Sequence, residues 1–171
     1  MNIELAENSI KAKLIADFDA LATPTDIIVD LLPENEKDYK KATEKRTRVY
    51  VCYAASNFAK PKSTNFIVQE EDANMQIVIM GEKLRGAGGI YDAFRLVSNS
   101  LLGFEPTNCR RIYALKFEHE KREDSVFSYI YTLACGSELV QDFTEPITQT
   151  IQTITNTPSD PSFDGNNTPN S

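Results

Sequence analysis

The stretch "RIYALKFEHEKREDSVFSYIYTLAC" (Arg111–Cys135) limits the fold more than any other part of the chain. Apolar and polar residues alternate on both sides of a charged turn, "EKRED" (Glu120–Asp124), so the two arms read as a β-hairpin. Tyr113, Leu115 and Phe117 line one face of the first arm, and Phe127, Tyr129, Tyr131 and Leu133 one face of the second. An isolated hairpin is at best marginally stable in water, so the apolar faces need more strands beside them and another layer above.

The rest of the chain offers both. "RVYVCYA" (Arg48–Ala54) is apolar on both alternating faces, which suits a central strand buried on two sides. "NMQIVIM" (Asn74–Met80) sends Met75, Ile77 and Ile79 to one face, and "DIIVDLL" (Asp26–Leu32) reads as a further short strand. Met1–Ala22 has helical spacing, with Ile3, Ala6, Ile10, Leu14, Phe18 and Leu21 on one stripe, and Thr23-Pro24 ends it. A second helix carries Ile90, Phe94, Val97 and Leu101 on one face and closes at Gly103. The order of elements predicts an α+β fold, a mainly antiparallel sheet with two helices packed against it.

The 171 residues suffice for one core. We expect a single domain over residues 1–143. Residues 144–171, rich in Thr, Asn, Ser and Pro, read as a C-terminal arm and a disordered tail. Ile147, Ile151 and Ile154 share a helical spacing while the threonines among them favour extended chain, so that segment reads as an arm that orders against a neighbour. The densely charged "PENEKDYKKATEKRTR" (Pro33–Arg48) reads as a solvated loop.

A net charge of −7 disfavours nucleic acid as a partner. No apolar run approaches the ~18 residues of a membrane span, and the N-terminus lacks the pattern of a signal peptide. Synthesis in the cytoplasm is the expectation, and with it three buried, reduced thiols: Cys52, Cys109 and Cys135.

The motifs of chemistry are mostly missing. "GAGG" (Gly86–Gly89) stands between a strand and a helix, where phosphate loops occur. No Lys-Ser or Lys-Thr follows it, its spacing does not fit the dinucleotide fingerprint, and Asp92 puts negative charge in the first helical turn. It reads as a mobile connection. His119 is the one histidine, flanked by Glu118 and Glu120, and reads as a surface residue. "QEEDAN" (Gln69–Asn74) reads as a solvated turn rather than a metal cluster. We therefore assign no catalytic, cofactor-binding or metal-binding residue, and expect no enzyme. "SNFAKPKSTNF" (Ser56–Phe66), with lysines among aromatics, reads as a loop suited to protein contact.

The order of parts resembles the tail-terminator proteins of long-tailed phages, the family related to the Mu tail protein and distantly to the lambda terminator. The likeness rests on "IELAENSIKAKLIADF", on "RVYVCYAASNF" leading to "NMQIVIM", and on "GGIYDAFRLVSNSLLGFEP" followed by the hairpin. It covers about Met1 to Asp142; the charged insert and the Thr/Asn-rich tail depart from it. The resemblance implies a hexameric ring that caps the tail tube and stops its growth. Its partners would be copies of itself, the tube and the sheath, in a phage virion tail or a contractile injection particle. On this reading the interface residues are Phe58, Lys60 and Lys62 in one segment and Lys121, Arg122 and Glu123 in the other. Two alternatives stand beside it: another neck or tube component of the same particle, and a small-ligand binding module.

Overall fold

A computed structural model describes residues 1–23, 25–35, 46–62, 67–123 and 125–140. The elements are α1 (Ile3–Asp19), β1 (Ile27–Leu31), β2 (Thr47–Phe58), β3 (Val68–Gly81), α2 (Ile90–Leu101), β4 (Tyr113–Glu123) and β5 (Val126–Val140). The strands form one sheet in the order β1-β2-β3-β5-β4, with every pairing antiparallel except β1 to β2. That is the α+β arrangement expected. The arm and tail proposed for residues 144–171, and most of the charged insert, lie outside the described residues.

Helix α1 begins because the Asn2 side chain accepts a hydrogen bond from the Leu5 amide, satisfying one of the free donors of the first turn. Ala6, Ile10, Leu14 and Phe18 recur every four residues and are all buried. Ile3 is exposed, so the inward stripe is shorter than its spacing suggests. Helix α2 starts at Gly89 and buries Ile90, Ala93, Val97 and Leu101. Gly103 follows in the left-handed region (φ 81°), as a helix end of this kind requires, and donates its N–H to Ile112. Both helices lie on one face of the sheet, α1 against β1 and β2 and α2 against β2 and β3.

One core unites that face: Ile10, Leu14, Val49, Val51, Met75, Ile77, Ile79, Val97, Leu101, Tyr131 and Leu133. On the other face Tyr50, Val78 and Met80 form a smaller buried cluster flanked by Cys52, Val126 and Ile130. Both faces of β2 and β3 are therefore apolar, which is why "RVYVCYA" did not alternate.

Three segments read as turns or loops are strand instead. "QEEDAN" lies within β3, Ser56–Phe58 ends β2, and Glu120–Glu123 ends β4. The polar side chains concealed the strands, because register with a neighbour decides pairing and charge does not. The hairpin arm β4 departs in a second way. Its pairing with β5 shifts between Ala114 and Lys116 and again between His119 and Lys121. Each bulge reverses the alternation. Tyr113 pairs with Ala134 and Phe117 with Tyr131, partners on opposite faces of β5, so Tyr113 and Phe117 do not share a face.

Candidate functional site

The glycine connection is built as a tight turn. Gly86 and Gly88 have positive φ, Gly89 donates to the Gly86 carbonyl at 3.0 Å, and Thr47 Oγ1 donates to the Gly88 carbonyl. The Gly88 N–H is already taken, donating to Asp92 Oδ2 at 3.1 Å. Arg95 at 2.8 Å and that N–H hold the Asp92 carboxyl below its ordinary range, so a negative charge occupies the place a phosphate would need. Isothermal calorimetry with ATP, GTP or NAD at millimolar concentration is expected to show no saturable heat. A micromolar Kd abolished by Gly88→Val would overturn that expectation.

His119 is exposed on β4 and meets the Tyr129 ring edge-on, with centroids 5.1 Å apart. It belongs to an aromatic shelf running from α2 to the β4 edge. Phe94 stacks on Phe117 at 3.9 Å, Phe117 stacks on Tyr129 at 5.2 Å, and Tyr91 meets Tyr129 edge-on. No group of three or more His, Cys, Asp or Glu side chains is placed to hold a metal ion among the described residues. Nor is any described helix long and apolar enough to cross a membrane.

The two segments singled out for protein contact lie at opposite ends of the sheet. Phe58 pairs with Glu71 near the start of β3, while Arg122 pairs with Phe127, itself opposite Gly81 at the end of β3. At ~3.3 Å per residue the two regions are roughly 35 Å apart. Phe58 is 52% exposed, and Ile67, Leu139 and Val140 are further exposed apolar residues at the same end, Leu139 and Val140 on opposite faces of β5. Lys60 is exposed; Lys62 pairs with Glu70 at 2.7 Å, and Arg110 reaches Glu138 at 2.8 Å, so charges of both signs border these residues. At the other end Lys121 pairs with Glu123 at 3.5 Å, and the Arg122 guanidinium lies over the Phe127 ring at 4.8 Å. These exposed pairs orient more than they stabilise.

Two clusters escaped the sequence reading. Glu71 is almost wholly buried and accepts hydrogen bonds from Ser56, from Ser137 at 2.7 Å and from the Met1 amine at 3.2 Å. Burial pushes its carboxyl up, but those donors and the amine charge outweigh it, and the net displacement is downward. Cys109 packs against the core cluster that contains Cys135 although the two lie far apart in the chain. Strand register sets Glu71 opposite Ser137, and the docking of Arg110 on Gly136 brings Cys109 towards Cys135; neither is written in the local sequence.

An α+β protein with one sheet covered by helices on one face, and with exposed apolar residues at the sheet's ends and edge as well as on the helices, is the class this geometry defines. Within it, the chain belongs to the Gp37 protein family, which is phage-related: the family model matches residues 20–157. No curated protein matches the chain. Among solved structures that do match is a chain from the virion of a native gene transfer agent (GTA) particle, 15% identical, with a TM-score of 0.46. That match covers 78% of this chain and 98% of the other.

Proposed function

We propose that this protein is a non-enzymatic structural component of a phage or phage-like particle, and within it the tail terminator. Copies form a closed ring, a hexamer on the tail-terminator resemblance, that caps the tube and meets the sheath. The observation that carries this reading is the pair of unlike exposed patches at opposite ends of one sheet. A closed ring joins two different patches head to tail, whereas a two-fold dimer uses one patch twice. Membership of a phage-related family supports the same reading.

In this arrangement Phe58, Lys60 and Lys62 of one subunit face Lys121, Arg122 and Glu123 of the next, or the last ring of the tube. A tube of stacked identical rings presents the same face after each addition, so nothing in the stack itself halts growth. A terminator matches that face on one side and differs on the other.

Deleting the gene and measuring tube lengths in assembled particles tests the proposal. Lengths are expected to broaden or extend, with the cap density lost from one end in electron micrographs. Uniform, capped tubes of unchanged length would sink the terminator role and leave a neck or tube component as the better reading. A monomer with a tightly bound small molecule would favour a ligand-binding module.

A further inference from the structure

Cys109 sits just beyond helix α2 in a backbone fold that brings it back against the sheet. Asn108 takes a left-handed conformation (φ 62°), and the Cys109 N–H donates to the Pro106 carbonyl at 2.9 Å. The next residue, Arg110, donates its N–H to the Gly136 carbonyl at 2.7 Å, which fastens this connection to β5. There Cys109 packs against the core cluster that contains Cys135, and Cys109 Sγ lies 3.2 Å from Met1 Sδ.

The two thiols differ in access. Cys109 is half-buried and lines a hollow of about 520 Å³ together with Asp72, Glu105, Arg110, Arg111 and Tyr113. Cys135 is fully buried and does not reach the hollow. Arg110 and Arg111 bring two guanidinium groups to the hollow, and their present partners Glu138 and Glu105 are exposed pairs that exchange at small cost. Asp72 and Glu105 bring two carboxylates to the same hollow, so its mixed charge suits a small molecule that carries both carboxylates and ammonium groups.

We propose that Cys109 and Cys135 form a reactive dithiol, in which Cys109 attacks a small charged disulfide of the glutathione type and Cys135 completes an intramolecular disulfide. In the first step the Cys109 thiolate bonds to one sulfur of the small disulfide. The old S–S bond breaks and one small thiol leaves. In the second, Cys135 attacks the Cys109 sulfur, its proton passes to the departing sulfur, and the second small thiol is released. Two protein thiols are oxidised by two electrons, and the small disulfide is reduced to two thiols.

The electrostatics assign the same roles. The hydrogen bond from Cys135 holds the Cys109 thiol below its ordinary range despite burial, with help from the Met1 amine charge. The same hydrogen bond and burial push Cys135 far up, so it keeps its proton until Cys109 has reacted. Cys52 is a built-in control: burial, with the Glu7 charge, pushes it up to about 11. The new bond would tie the α2–β4 connection to β5 covalently. This inference does not depend on the terminator reading.

The test is to incubate the folded protein with oxidised glutathione, count thiols and map the products by mass spectrometry. Free thiols are expected to fall from three to one per chain, with a loss of two hydrogens and a Cys109–Cys135 peptide link. Cys109 is expected to react at least about tenfold faster than Cys52. Cys135→Ala should stop at a stable adduct of one glutathione on Cys109, and Cys109→Ala should leave Cys135 unmodified. Three persistent thiols, first modification at Cys52, or a Cys109→Ala variant that still loses Cys135 would each overturn the proposal. The map of the wild-type product decides even if the buried Cys135→Ala change prevents folding.

Discussion

Glu71→Ala is expected to lower the stability of the protein by about 3 kcal/mol, because it leaves several buried donors without an acceptor. In the wild type Ser137 and the Met1 amine share Oε2, and Ser56 donates to Oε1 while itself accepting from the Tyr53 hydroxyl at 3.0 Å. The cluster ties β2, β3, β5 and the start of the chain together on the helix side of the sheet. Truncation to alanine strands the amine as an unpaired buried charge and orphans two hydroxyls. For a chain of this size the melting temperature should fall by roughly 6–12 °C.

Glu71→Gln separates charge from hydrogen bonding. Glutamine keeps an acceptor but not the ion pair, so its loss at neutral pH should be smaller than that of alanine. The pH dependence has a definite sign. The carboxyl of Glu71 lies lower in the folded protein than its ordinary value of 4.5, so its contribution is complete above that value. It is lost as pH falls through the folded-state value. The stability gap between wild type and Glu71→Gln should therefore be constant from neutral pH to about pH 5 and close below it. Urea titrations at a series of pH values check this. A gap that persists unchanged at the acid end would mean that the charge of Glu71 contributes nothing.

Why Glu71 stayed hidden in the sequence shows where sequence reading stops. Helix α1, helix α2 and the strands around Val49, Ile77 and Tyr131 were legible because apolar periodicity reports burial directly. "QEEDAN" carries no such signal: its acidic residues look solvated until register places Glu71 opposite Ser137. The faces of β4 were misjudged for a related reason. Bulges at Leu115 and Glu120 are properties of a pair of strands, and neither strand records them alone. The same holds for Cys109 and Cys135, which meet only because Arg110 docks on Gly136. The exposure of the segments proposed for contact was legible; their placement was not. Their composition marked Phe58, Lys60 and Lys62, and likewise Lys121, Arg122 and Glu123, as exposed, but their placement at opposite ends of the sheet needed the topology.

Leu14→Ala is expected to cost about 3 kcal/mol, and the reason concerns the N-terminal part of the chain that the family model does not match. That match begins at residue 20, just after α1. An appended helix could be truncated with little loss, yet α1 is not packed like an appendage. Leu14 has no exposed surface, and Ala6, Ile10 and Phe18 join it against the sheet. Polar contacts reinforce the docking: Ser100 Oγ on α2 donates to Asp17 Oδ2 at 2.6 Å, and Lys11 reaches Asp30 on β1 at 2.6 Å. Removing the Leu14 side chain leaves a cavity between α1 and the strands that packed neighbours fill only in part. The melting temperature should drop by roughly 6–12 °C. Ile15→Ala, one position further on an outward-facing side chain, supplies the comparison and should cost less than about 1 kcal/mol. Thermal and urea unfolding of the two variants beside wild type measure the difference. If both lose equally little, α1 lies outside the cooperative core and the domain begins where the family match does.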